Sequence, residues 1–268
     1  MTDSELLVRF LQALGPATTE VVLVGGWAHR LMALHPAAHS RAQPLATKDV
    51  DVLFRVRRTA VDLSRRLSDA GFVARPKPGD ERPPVADYVH SAHTGAPIEF
   101  LIAEVPSRKL PSPTVDVGGV SATALKGLEL LLVDPWTVDL SELAGFPAAT
   151  AMQVQIPNPV SYVLHKLLVS TQRRDRSKRE KDLLYAYDTL VLFAASEDTL
   201  RATARSVRKS LPKSSRAKLL RGVPHLEAIG DTVRGAAEIA RQSGRAAPAL
   251  AEQIGSTLAA AIRRYLAA

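Results

Sequence analysis

Asp49 and Asp51 stand two residues apart in a run that is otherwise apolar, with Val50, Val52, Leu53 and Phe54 as neighbours. Side chains alternate between the two faces of a strand, so this spacing sets both carboxylates on one face. Two adjacent like charges are unfavourable unless something neutralises them. The run Asp49 to Val56 therefore predicts a strand with one charged face. A solvated edge strand would show the same pattern. A divalent cation with hard oxygen ligands, which also grips phosphates, is the other way to compensate the pair.

Two further segments bear on that choice. Val21 to Val24 is a short apolar run that stops at Gly25-Gly26, and Trp27 to Leu34 then predicts a helix ending before Pro36. A glycine pair between strand and helix lets the backbone approach a phosphate, and the helix start offers free N–H groups to an anion. A plain tight turn uses the same residues. Downstream, Glu99 is the single charge in the apolar stretch Pro97 to Ile102. An isolated acid on a buried strand is costly without a partner. If this strand lies beside the Asp49/Asp51 strand, the three carboxylates could hold two metals, or one metal beside a general base. Otherwise Glu99 is a surface residue or the partner of an arginine.

The chain has 268 residues and no cysteine, which excludes a disulfide scaffold, a thiolate zinc site and a cysteine nucleophile. Its charge is unevenly spread. Residues 160–268 hold 20 Lys/Arg against 10 Asp/Glu, a net of +10, while residues 1–159 hold 15 against 17. Such asymmetry suggests either a polyanionic partner or a well-solvated basic surface. Helical spacing marks residues 3–14 and 59–70, and strands are expected at 85–91 and 98–103 around a turn containing Thr94-Gly95. From Asn158 onward the pattern is helical, with helices expected over 162–174, from a Ser177-to-Glu180 capping box to about 195, and over 198–210, 212–220, 224–242 and 247–266. The fold class is thus α/β (α+β), with a mixed-sheet domain over 1–155 and a basic α-helical domain over 156–268. The start is a poor signal peptide and the longest apolar run, Leu190 to Ala195, is far too short to span a bilayer, so a cytoplasmic location without membrane contact is expected. The seven histidines show no zinc-protease pattern, and His90 and His93 read as surface residues near a turn.

Strand, Gly25-Gly26, helix, Thr47, Asp49-x-Asp51 and then Glu99 occur in the order seen in the DNA polymerase β-type nucleotidyltransferase superfamily, which residues 20–103 resemble. Further on, Lys166, Arg173 or Arg174, Lys181 and Asp182 resemble the order found in the AbiEii-type branch, which includes toxin nucleotidyltransferases. Two positions depart: Trp27 stands where many members have serine or threonine, as in some antibiotic-modifying members, and Tyr185 stands where the toxin branch often repeats an aspartate, with Asp188 nearby. The resemblance implies a nucleotidyltransferase fold and transfer of a nucleoside monophosphate from an NTP to a hydroxyl, with Mg²⁺ as cofactor. It implies metal ligation by Asp49, Asp51 and Glu99. Nucleotide contacts would come from Gly25, Gly26, Trp27, Thr47, Lys166, Arg173, Arg174, Lys181 and Asp182, with Lys166 catalytic on the triphosphate. The toxin-like order favours an RNA acceptor, tRNA above all, and a cognate antitoxin protein as partner. Modification of a small molecule such as an antibiotic, modification of a protein side chain, or a non-catalytic nucleic-acid binder on the same fold, are the other readings.

Overall fold

The computed structural model describes residues 1–39, 47, 49–78, 85–104, 113–146, 152–243 and 249–267. Most of the loop expected after Pro36, the end of the proline-rich loop before Val85, parts of the 106–160 segment and the start of the last expected helix lie outside the described residues. The fold is α/β, with a mixed sheet in the N-terminal region and a helical bundle in the C-terminal region. The chain divides into two compact units, Met1–Leu34 with Ala46–Pro157, and His35–Leu45 with Asn158–Ala268.

In the first unit, α1 (Asp3–Leu14) is started by a capping box. Thr2 Oγ1 accepts from the Glu5 amide at 3.2 Å, and Glu5 Oε2 accepts from the Thr2 amide at 2.7 Å. The helix buries Leu6, Leu7, Phe10, Leu11 and Leu14. The sheet is built from β1 (Val21–Val24), β2 (Val50–Phe54), β3 (Phe72–Pro76), β4 (Ala86–His90), β5 (His93–Ala103), β6 (Thr114–Val117) and β7 (Val120–Leu125). Its order is β1-β2-β5-β4-β3, with β7 also paired to β5 and β6 to β7. β2 and β7 run parallel to β5, and the other pairings are antiparallel. A second ladder joins β8 (Trp136–Asp139) to β9 (Gln153–Ile156).

Strand register sorts the two sheet faces. Val50, Val52 and Phe54 pair with Ile98, Phe100 and Ile102. Phe54 stacks on Phe100 at 5.3 Å between centroids, and Phe10 of α1 reaches Phe100 at 5.9 Å. That face is core. The opposite face carries Leu53 and Leu101, packed with Val22, Val24, Leu128 and Leu131, and one step along the strands it carries Asp51 and Glu99.

Several element boundaries differ from the sequence expectation. Helix α2 (Gly25–Leu34) begins at Gly25, so the glycines form its first turn rather than precede it. Gly25 takes φ +63°, a left-handed conformation that turns the chain into the helix directly off β1. Helix α3 (Leu63–Asp69) starts at the Asp62 cap, not near Thr59. The Thr59 hydroxyl accepts from the Val61 amide at 3.2 Å, a local turn that competes with helix. The β4–β5 turn sits at Ser91-Ala92, with Thr94 and Gly95 inside β5. The Ala92 amide donates to His90 Nδ1 at 3.1 Å and helps close that turn. His90 is buried, edge-on to Phe72, and His93 Nε2 lies 3.3 Å from Asp3.

The second unit holds α4 (Pro159–Ser170), α5 (Arg176–Leu192), α6 (Glu197–Ser210), α7 (Lys213–Glu227), α8 (Asp231–Gln242) and α9 (Ala251–Leu266). Asn158 caps α4 through the Ser161 amide at 2.8 Å. Asp175, not Ser177, caps α5, accepting from the Lys178 amide at 3.0 Å. Helix α7 runs through Pro224 instead of stopping before it. Proline removes one donor near the helix end, while Leu219, Val223 and Leu226 keep one continuous buried face. No helix among the described residues is long and apolar enough to cross a membrane.

Candidate active site

Parallel pairing of β2 with β5 makes Asp51 and Glu99 direct Cα partners, so both rise from the same face. Asp49 lies one residue before β2 and two before Asp51, and it is exposed. On the outer side of Asp51 the register partner is Val24, the last residue before the glycine pair. A β-carbon on Gly25 would run into the Asp51 carboxylate, and one on Gly26 would run into the Thr47 side chain. Both glycines are therefore required by close approach, and Gly25 also by its positive φ. The Thr47 hydroxyl donates to the Asp49 carbonyl at 3.4 Å, which ties the approach to β2 to the strand itself. Trp27 is almost fully buried, and the Arg30 guanidinium lies 4.5 Å from the centroid of its ring.

The register continues past Glu99 to residues that the sequence reading did not single out. Asp87 on β4 is the Cα partner of Glu99, and Arg75 on β3 is the partner of Asp87. Lys77 bridges the row: its Nζ lies 2.7 Å from Asp87 Oδ1 and 3.0 Å from Glu99 Oε1. Burial works against the Lys77 charge, but its hydrogen bonds to Asp87 and then Glu99 outweigh it and hold its pKa above the ordinary lysine value. The signal for Asp87 was the same as for Glu99, a lone acid at an alternate position of a short strand. Lys77, between two prolines at the strand end, carried no such signal.

Among the described residues no group of three or more acids or histidines stands close enough to hold a metal ion. The donor chemistry nonetheless suits a divalent cation. Asp51 offers hard carboxylate oxygens from a strand face and exposed Asp49 from the residue before that strand, and the glycine gap makes room for Asp51. Glu99 is engaged by Lys77 instead.

The second unit gathers three of the other candidates. Lys166 Nζ donates to Asp182 Oδ1 at 2.9 Å, and Arg173 Nε lies 2.6 Å from Asp182 Oδ2. The second contact is an ion pair and not an aligned hydrogen bond, since neither atom has a hydrogen-bond partner. Helix α4 ends at Ser170, so Arg173 does not share a helix with Lys166; Asp182 on α5 brings them together. Lys166 is 7% exposed and sits 4.9 Å from the Tyr185 ring and 5.5 Å from the Tyr162 ring. Asp182 and Asp188 are buried, while Arg174 and Lys181 are exposed. Burial, and then the charges of Lys166 and Arg173, push the His165 pKa down to about 3.

Comparison with protein-family models decides the class. The chain belongs to a nucleotidyltransferase family. The family model matches residues 3–209, from the start of α1 almost to the end of α6. No curated protein and no solved structure matches the chain. Membership makes it a transferase that takes a nucleoside triphosphate as substrate.

Proposed function

We propose that this nucleotidyltransferase moves an NMP from an NTP to a hydroxyl of RNA, a tRNA above all, in the manner of AbiEii-type toxins and with Mg²⁺ as its cation. The observation that carries the reading is the row formed by Gly25, Asp51 and Glu99. A carboxylate lies flush against a glycine at a helix start, with a second carboxylate as its direct register partner. Asp49 and Asp51 would hold the cation, which when bound offsets charge on the phosphates. The Gly25-Gly26 backbone offers N–H groups to the triphosphate. Glu99 takes the proton of the attacking hydroxyl as its oxygen bonds to the α-phosphorus and the bond to pyrophosphate breaks. For Glu99 to do this, Lys77 must give up that carboxylate and keep Asp87. Lys166 and Arg173, held by Asp182, are assigned to charge on the triphosphate.

The RNA acceptor is supported by charge. Arg205, Lys209, Lys213 and Arg221 are exposed on α6 and α7, with no ion pair among the described residues. By contrast, Arg201 is paired with Glu197 at 2.7 Å, and Arg216 donates to the Leu266 carbonyl at 2.8 Å. If the four unpaired cations meet phosphates, RNA affinity should fall about a hundredfold between 50 and 200 mM salt. The test incubates the protein with each labelled NTP, Mg²⁺ and total tRNA, then resolves the RNA on a gel. Labelled RNA that disappears with Asp51→Asn supports the reading. Label on an added aminoglycoside and none on RNA would overturn the acceptor, and RNA binding without any transfer would overturn the catalytic assignment.

A further inference from the structure

Helices α4, α5, α7, α8 and α9 line a cavity of about 320 Å³ within the second unit. That is the lower end of the range for small-molecule sites. Leu167, Leu183, Leu219 and Ile262 form buried apolar walls. Arg179 and Lys218 also line it, both partly buried. Neither side chain makes an ion pair or hydrogen bond among the described residues, and Arg179 Nε is fully buried without a partner. The acid on the lining, Asp231, is exposed and faces Arg234 at 3.4 Å. The hydroxyls of Ser170 and Thr171 are spent on the carbonyls of Leu167 and Leu168, at 2.8 and 2.7 Å. The lining therefore offers two cations without counter-ions beside an apolar wall.

A buried guanidinium N–H without an acceptor costs free energy, and an anionic acceptor is the group that removes that cost most fully. We propose that the cavity binds a small organic anion with an apolar body, an alkyl carboxylate or alkyl phosphate, its head on Arg179 and Lys218 and its chain along the leucines. Lys218 and the walls from α7, α8 and α9 lie beyond residue 209, where the family match ends, while Arg179 and the walls from α4 and α5 lie within it.

The test is calorimetric titration of the full chain with octanoate, octyl phosphate, octanol and inorganic phosphate. Both amphiphiles should bind, and octanol and inorganic phosphate should each bind at least tenfold more weakly. Arg179→Gln should weaken both amphiphiles about tenfold or more, and Lys218→Gln should weaken octyl phosphate more than octanoate. Gly222 lies on the lining, and a β-carbon there meets nothing within 4 Å. Gly222→Leu should abolish binding while the melting temperature holds or rises, because α7 loses an interior glycine. Octanol binding as tightly as octanoate would overturn the proposal in favour of a purely apolar cavity. Inorganic phosphate binding as tightly as octyl phosphate would leave only a phosphate patch, and no binding of either amphiphile at millimolar concentration would remove the site.

Discussion

Asp51 and Asp182 are both carboxylates among charged neighbours, but their settings are opposite. Asp51 is only partly buried, on a sheet face, with a glycine backbone against it and Glu99 beside it in the next strand. Asp182 is 3% exposed, with one oxygen on Lys166 and the other facing Arg173. The first cluster sets acid next to acid on an accessible face, with Lys77 on Glu99, an arrangement that a divalent cation would suit. The second sets one acid between two bases and shuts out water, which holds α4 to α5. In one unit charge forms the proposed cation site; in the other it also joins two helices.

That contrast is broken most directly by removing one member from each. Asp51→Asn should cost NMP transfer on the order of a thousandfold if the proposed cation site is right, since one of its two assigned ligands is lost. The fold should hold, because Asp51 is only partly buried and the amide keeps the shape of the carboxylate. Labelled-NTP transfer read beside a thermal melt checks both halves. Near-normal transfer would move the site elsewhere. Lys166→Met should show the reverse emphasis, losing about 3–5 kcal/mol of stability because Asp182 is left buried with an imperfectly aligned Arg173. Denaturant unfolding measures it. Adding Asp182→Asn should recover part of the loss, and failure to do so would mean the pair is not coupled.

How far these clusters could be read from the sequence follows from their geometry. Period-two alternation carries Asp49 and Asp51 to one face without knowledge of the fold, and the glycine pair is visible as the end of an apolar run, whereas Glu99 joins Asp51 only through the pairing of β2 with β5. Asp87 and Lys77 join the row only through the register of β3 with β4 and β4 with β5, which short sequence patterns do not specify. Helical periodicity, in turn, misplaced Arg173. The Ser170 and Thr171 hydroxyls bond back to carbonyls three residues earlier at the end of α4, and Arg173 reaches Lys166 only through an acid on the next helix. Local pattern finds residues on one element, and long-range pairing decides which of them meet.

Gly25→Ala sharpens the comparison from the backbone side. A left-handed φ of +63° costs a side chain about 1–2 kcal/mol, and the new methyl must also displace the Asp51 carboxylate. On the proposed site, transfer should fall about a hundredfold, more than the stability change alone explains, because an assigned cation ligand moves. Equal activity at equal stability would mean that Asp51 has no fixed geometry to protect.

Acid should act on the helical unit through His165. Its folded pKa, about 3, lies below the unfolded value, so the unfolded chain binds the proton first. The stability that the neutral ring contributes is complete above about pH 6.5 and is lost as pH falls toward 3. His165→Leu should flatten that part of the pH–stability curve. An unchanged curve would show that other groups set the acid response.

The smallest effect is expected at Lys77. It is 42% exposed, so Lys77→Ala should change stability by no more than about 1 kcal/mol, even though Glu99 loses its cation and Asp87 keeps only Arg75. Its consequence for ligand binding should be larger than its consequence for folding. With Lys77 gone, Asp87 keeps Arg75 at 3.4 Å but Glu99 loses its cation beside Asp51, and a divalent cation becomes the group that would replace it. Calorimetric titration with Mg²⁺ should then show several-fold tighter binding than in the parent chain, and Lys77→Arg should restore the parent value. If Mg²⁺ binding is unmoved by Lys77→Ala but falls with Asp51→Asn, the cation is held by Asp49 and Asp51 alone and Glu99 is left to handle the proton. If both variants leave Mg²⁺ binding unmoved, the acidic row is not a cation site, and the contrast between the two units disappears.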